Sequence, residues 1–485
     1  MTMALGRLAI IVALSAVTAV TAGAHGKLKS ARPARGSQLS VAPTELRLEF
    51  TESPEVALAR FELVGPDGKA IELGPLTRAD QLGRTLTADI RAALTNGTFT
   101  VKWRIAGADG HPVSGSYQFS IAAPATGLSQ PNAPITAPPA TAAGAANPDS
   151  MSMMHHDPQQ MPEGDGFGVG SVGYIAIRWL LVSGLLIVIG AVAFRYIVLK
   201  VLLRSARQHT LLIDTVSGRA ALAGLLAAAV VGLAALLRLV AQSYAMHGSA
   251  EAWAPLLMIT MLTRTIWGWG WLLQLAGMLV AVAGFAMARR GSSHGWTVAA
   301  LGTLMLAVTP ALSGHAVSAP TWTTPAVLAD TLHVIGAGGW LGSLLMLIGV
   351  GIPAAMQLEE PARGPAVADL VNAFSPTALF FAGISGITGV FAAWLHMGSF
   401  SALWQSAYGQ TLLVKLGILS VVAGTGAYNW LRVKPTLGSI EGARRIRRSG
   451  NVELVIGVLV LVVTAVLVAT PTPMDAAATG SASMP

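Results

Sequence analysis

The sequence predicts a mixed fold: an N-terminal all-β barrel or sandwich, then an all-α polytopic membrane bundle of about eight transmembrane helices. Three observations carry this. Residues 25–123 alternate apolar and polar positions between regular turn signals. From Ser171 onward the chain is a series of long apolar segments. Only 11% of the 485 residues are charged and 53% are hydrophobic, with a mean hydropathy of +0.60. A soluble protein carries roughly 25% charged residues, so much of this chain belongs in lipid.

The first element is a leader. Residues 1–24 have a basic start at Arg7, an apolar run from Leu8 to Val20 and the small-residue stretch Ala22-Gly23-Ala24. That is the order of a secretory signal peptide, and the run is too short to span a bilayer comfortably. Cleavage after Ala24 makes His25 the first residue of the mature chain. A free α-amine and an imidazole on one residue can chelate one metal ion.

Residues 25–123 form the β-domain. Leu46, Leu48 and Phe50 alternate, as do Phe99, Val101, Trp103 and Ile105, and Tyr117, Phe119 and Ile121. Phe61 and Leu63 precede the turn signal "GPDG", and Ile71 and Leu73 follow it. Residues 124–170 form a linker. Its first part is rich in Pro and Ala and cannot build a core. Its second part gathers Met151, Met153, Met154, His155, His156 and Met161. Thioethers and imidazoles suit copper, Cu(I) especially, and point to a transient metal contact.

Residues 171–470 hold the expected spans, at about 172–199, 217–241, 265–288, 296–313, 326–353, 374–397, 411–433 and 451–470, before a tail at 471–485. Lys200, Arg204 and Arg207 follow span one, Arg289 and Arg290 follow span three, and Lys434, Arg444, Arg445, Arg447 and Arg448 follow span seven. Loops 314–325 and 398–410 hold no Lys or Arg. The basic loops therefore belong in the cytoplasm, with both termini outside. The formal charge of +8 is accounted for by those loops and calls for no nucleic acid.

That topology sets His247, His315 and His396 at outer span ends, and His333 about two turns into span five. His209 and His294 fall in cytoplasmic loops. His247 reads as an interfacial polar residue. An ionisable residue inside a span is costly and marks function, so His333 stands apart. Asp330 lies one helical turn before it, placed to orient the imidazole or share a cation. Met397 adjoins His396. Lys415 and Glu453 lie near span ends and are long enough to snorkel.

In the β-domain the second histidine is His111, with Asp109 two residues before it. On a strand, such residues face one side. Two imidazoles, one amine and one carboxylate make an N₃O set suited to tetragonal Cu(II). The chain has no cysteine. That excludes disulfides, thiolate metal sites and a blue-copper centre.

Residues 25–121, through "HGKLKSARPARGS", "APTELRLEFTES" and "GTFTVKWRIAGADGHPVSGSYQFSI", resemble the periplasmic copper-resistance protein C (CopC) family. The resemblance implies a cupredoxin-like, Ig-like barrel that binds Cu(II) through the N-terminal His25 and the pair Asp109 and His111, with Glu52 beside the site. Residues 171–470, through "SGHA", "DTLHVIGAGGWLGSL", "YGQTLLVKLGIL" and "GAYNWLRVKP", resemble the copper-resistance protein D (CopD) family of bacterial inner-membrane proteins. The chain thus looks like a C–D fusion.

The expected function is copper capture by the β-domain and transfer to the bundle for uptake or resistance. His315, His333 and His396 form the expected entry cluster, and copper is held as Cu(II) at the barrel and as Cu(I) at the linker and membrane sites. A periplasmic copper donor and a cytoplasmic acceptor are the implied partners, beside the lipid bilayer. About 45 residues of flexible linker would span on the order of 35–40 Å and hold the barrel at roughly millimolar effective concentration. Two other readings stand beside this non-enzymatic one. The first is a membrane redox protein with haem or cupric-reductase chemistry. The second is periplasmic sequestration with the bundle as anchor.

Overall fold

The computed structural model describes residues 28–51, 53–106, 112–122, 171–205, 210–249, 251–313, 322–470 and 472–473. The β-domain contains β1 (Leu28–Arg32), β2 (Gln38–Leu39), β3 (Glu45–Phe50), β4 (Arg60–Val64), β5 (Ala70–Ile71), β6 (Thr77–Arg78), β7 (Thr85–Asp89), β8 (Gly97–Ala106) and β9 (Pro112–Ile121). They form two sheets, ordered β1-β3-β7-β6 and β2-β9-β8-β4-β5. The inward positions of the alternating stretches meet between them. Leu46, Leu48, Phe50, Leu63, Leu86, Phe99, Val101, Trp103, Ile105, Tyr117, Phe119 and Ile121 make one buried cluster. Phe61 stays half-buried at its margin. Phe99 stacks on Phe119 at 5.4 Å, and Trp103 meets Phe50 edge-on at 5.2 Å. Gly115 pairs with Trp103 across the hairpin, where a Cβ would come within 2.6 Å of the indole.

β8 and β9 pair antiparallel along their whole length, from Gly97 opposite Ile121 to Ala106 opposite Pro112. Their ends at Ala106 and Pro112 bracket residues 107–111.

Among the described residues, eight helices are long and apolar enough to cross a membrane, as the hydropathy pattern predicts. They are Val172–Arg204, Thr210–His247, Ile266–Arg289, Gly295–Leu312, Thr323–Ala355, Arg363–Met397, Ala407–Thr436 and Glu441–Ala469, here called spans one to eight. Several are longer than the apolar runs that announce them. Backbone hydrogen bonding carries a helix past the end of its hydrophobic stretch, so hydropathy marks the lipid-facing part alone. A ninth helix, Pro255–Arg264, is shorter and joins spans two and three. Spans one and five cross so closely at Gly190 and Gly342 that neither backbone leaves room for a Cβ.

The β-domain is seated on one end of this bundle. Leu58 and Ala106 are buried in a cluster with Ala235, Met246, Met261, Trp267 and Trp271. Polar contacts frame it. Arg60 Nη1 lies 2.7 Å from Glu251 Oε2, and Arg104 Nη1 donates to the Met246 carbonyl at 3.2 Å. The Glu55 carboxylate accepts from the Ile266 N–H. Ile266 is the first residue of span three, whose cap Thr265 takes the Gly268 N–H at 2.9 Å. The β-domain therefore supplies an acid to the positive end of a span helix and satisfies one of its unpaired N–H groups. The end carrying the β-domain is called the near end below. Arg204, Arg289, Arg290 and Lys434 lie at the far end.

Candidate functional site

Many of the sequence candidates, namely His25, Glu52, Asp109, His111, Met151, Met153, Met154, His155, His156 and His315, lie outside the described residues. What is described is their setting. The strand that leads into Asp109 and His111 ends at Ala106, inside the interface with spans two and three. Arg104, two residues before that end, bonds to Met246 at the near end of span two.

His333 sits in span five, ten residues beyond its start at Thr323, about 15 Å along the helix. Its Nδ1 lies 2.9 Å from the Ser385 carbonyl oxygen of span six and 3.2 Å from Thr388 Oγ1. A carbonyl only accepts, so Nδ1 carries the proton and Nε2 holds the lone pair. Second-sphere bonds of this kind orient metal-binding imidazoles. Gly389 makes the seat, since a Cβ there would meet His333 Cε1 at 3.2 Å.

Asp330 is one turn nearer the near end on the same helix. Lys415 of span seven acts electrostatically on both Asp330 and His333. It lies eight residues after Ala407, about 12 Å along span seven and so at similar depth. All three are partly buried. Lys415 is the cation whose charge acts on Asp330. Sequence position cannot pair residues of two spans 85 positions apart, and the one available signal was an ionisable residue on each span.

His396 ends span six. Its ring meets Tyr408 edge-on at 6.4 Å, while Met397 is buried among Ala402, Tyr408, Leu412 and Leu467. Thr388, which touches the His333 ring, is eight residues before His396, about 12 Å along the helix. His333 and His396 therefore sit at different depths and are too far apart to share one ion. Among the described residues, no three His, Cys, Asp or Glu side chains converge to hold a metal. His247 lies under the β-domain with Nδ1 3.3 Å from Ser243 Oγ, whose own proton goes to the Ala252 carbonyl at 2.7 Å.

Glu453 is a correction to the sequence reading. It is 8% exposed and accepts from Asn429 Nδ2 at 2.6 Å, so it turns into the bundle and does not snorkel.

Comparison with known proteins agrees with this organisation. The CopC domain family matches residues 28–122. The family described as copper resistance protein D-like, N-terminal domain, matches 169–325, and copper resistance protein D matches 368–467. Copper transport protein CutJ of Bacillus subtilis is 27% identical over 463 residues, covering 94% of this chain and 76% of that protein. Copper resistance protein C of Pseudomonas syringae pv. tomato is 33% identical over 105 residues, 21% of this chain and 82% of its own length. Among solved structures, CopC from Methylosinus trichosporium OB3b aligns over 22% of this chain and all of its own, at 28% identity and a TM-score of 0.20. With a CopC domain followed by both parts of a copper resistance protein D, the chain belongs to the copper resistance family as a CopC–CopD fusion.

Proposed function

We propose that the protein captures copper at its β-domain and passes it through the bundle across the inner membrane. The single observation that carries this reading is His333. It is an imidazole inside a span, with Nδ1 committed to the Ser385 carbonyl and Nε2 left with its lone pair, beside Asp330. A histidine that served only packing would not need a fixed tautomer inside a span.

Capture is assigned to His25, Asp109 and His111, with Glu52 close by, binding Cu(II). Met151, Met153, Met154, His155 and His156 make transient contacts suited to Cu(I). His396 with Met397, at the near end of span six, receives the ion before His333, and His315 is assigned to the same entry step. Lys415 balances Asp330 while no ion is present, and an arriving copper ion replaces the ammonium as the counter-charge. The basic residues at the far end support a cytoplasmic far side and a periplasmic β-domain. The seating of the β-domain supports hand-off from a docked barrel, with the linker holding it in reach for re-docking.

The test is copper uptake into sealed vesicles of known orientation. His333→Ala should abolish uptake while Cu(II) binding by the β-domain is unchanged. Wild-type uptake by that variant would reject the route. The capture site is tested separately. One extra residue before His25 in the mature chain should weaken Cu(II) binding sharply by breaking the amine–imidazole chelate, and unchanged affinity would reject His25 as a ligand.

A further inference from the structure

Glu453 lies on the buried stripe of span eight. Ala443, Ile446, Gly450, Glu453, Gly457 and Val460 are all buried, at intervals of three and four. That is the core-facing row of a helix, and Glu453 occupies a position where the pattern calls for an aliphatic residue. Among the described residues its hydrogen-bond partner is Asn429, the first residue of the π-turn Asn429–Val433 at the far end of span seven. Turns of this kind widen a helix locally and recur at functional positions.

No cation compensates this carboxyl among the described residues. Arg432, Lys434, Arg447 and Arg448 are the basic groups nearest to the pair in sequence; the three arginines are exposed, and the Lys434 ammonium lies over the Trp430 ring at 3.7 Å. On span one, which packs against span eight, Arg195 lies over the Trp296 ring at 6.0 Å. A bare carboxylate in such a place is costly.

The second observation is on the amide. Asn429 Oδ1 is buried and has no hydrogen-bond partner among the described residues. A carboxamide and a neutral carboxyl group are complementary. The amide N–H donates to the carboxyl C=O, and the carboxyl O–H donates to the amide C=O. An ionised Glu453 can make only the first of these bonds and leaves Oδ1 unpaired. Exchanging the two ends of the amide leads to the same conclusion, because an oxygen 2.6 Å from Oε1 needs a proton between them. The separation itself is in the range of O–H···O bonds and shorter than most N–H···O bonds.

We propose that Glu453 and Asn429 form a proton-binding site in the far half of the bundle, complete when Glu453 carries a proton. The proton leaves the carboxyl oxygen for the far-side solution as a cation passes, and the carboxylate left behind offsets the added charge. This coupling role rests on the transport reading; the proton site itself does not.

The test separates the two. Infrared spectra of the full chain in lipid at neutral pH should contain a protonated-carboxyl carbonyl band that shifts in deuterated water and is lost in Glu453→Gln. Thermal stability should follow the same logic. Glu453→Gln keeps both hydrogen bonds and should melt near wild type, whereas Glu453→Ala should melt lower. A band unchanged by Glu453→Gln, or a glutamine variant as unstable as the alanine variant, would overturn the proton site. Proton binding as stated, with vesicle uptake whose dependence on far-side pH is unchanged in Glu453→Gln, would overturn the coupling role alone.

Discussion

The carboxylate of Glu55, in the β-domain, accepts the backbone N–H of Ile266, the first residue of the third membrane span. One side chain thus caps a helix in the other half of the protein. Burial raises the Glu55 carboxyl above its ordinary value, against the opposing pull of Arg78 and of the Ile266 N–H. A carboxyl raised in the docked state binds its proton more tightly there than when the β-domain is free. Docking should therefore be strongest at acid pH and weaken as pH rises through the raised value. The chain has no cysteine, so Leu58→Cys with Met261→Cys gives a clean disulfide reporter inside the interface. Cross-linking should fall with rising pH, and Glu55→Gln should flatten the profile.

Arg60 and Glu251 also bridge the two parts, but each side chain is about half exposed, at 52% and 45%. A pair so open to solvent contributes about 0–1 kcal/mol. Reversing either charge alone should lower the docked fraction by at most about fivefold. Reversing both together should restore it. The same reporter reads this out, and raised salt should shrink the effect.

Gly389 matters only through the ring beside it. A methyl group there would push on His333 Cε1 from 3.2 Å. Gly389→Ala should therefore impair copper uptake while His333 is still present and the protein is folded. Uptake equal to wild type would mean that the ring position is not critical.

Asp330 of span five and Lys415 of span seven are opposite charges that act on each other between the spans. Removing one partner leaves the other uncompensated, at a cost of about 3–5 kcal/mol when the site is well buried. Lys415→Met alone should destabilise the bundle strongly in detergent unfolding. Asp330→Asn with Lys415→Met should recover most of that loss, yet the double variant should not transport copper.

Much of this was legible along the chain because it depends on local periodicity. Period-two alternation placed Leu46, Leu48, Phe50 and the β8–β9 pairs in one core, since a strand turns alternate residues to opposite faces. Apolar length announced eight spans, since lipid admits backbone only where its hydrogen bonds close internally. An ionisable residue within an apolar run marked His333 and Asp330 without any structure.

The tertiary structure decided what local pattern cannot encode. Asp330 and Lys415 are far apart in sequence and influence each other only because their spans place them at a similar depth. Long side chains at span ends read alike, but packing turned Glu453 onto Asn429 and left Arg432 and Arg448 outside. His333 and His396 looked like one cluster on a flat topology; helical rise separates them by about 12 Å. The linker implied only that the β-domain is held near the bundle; the fold decides where it sits, through Glu55, Arg60, Arg104 and a buried apolar patch. Each is a contact between segments distant in sequence, fixed by which surfaces bury together.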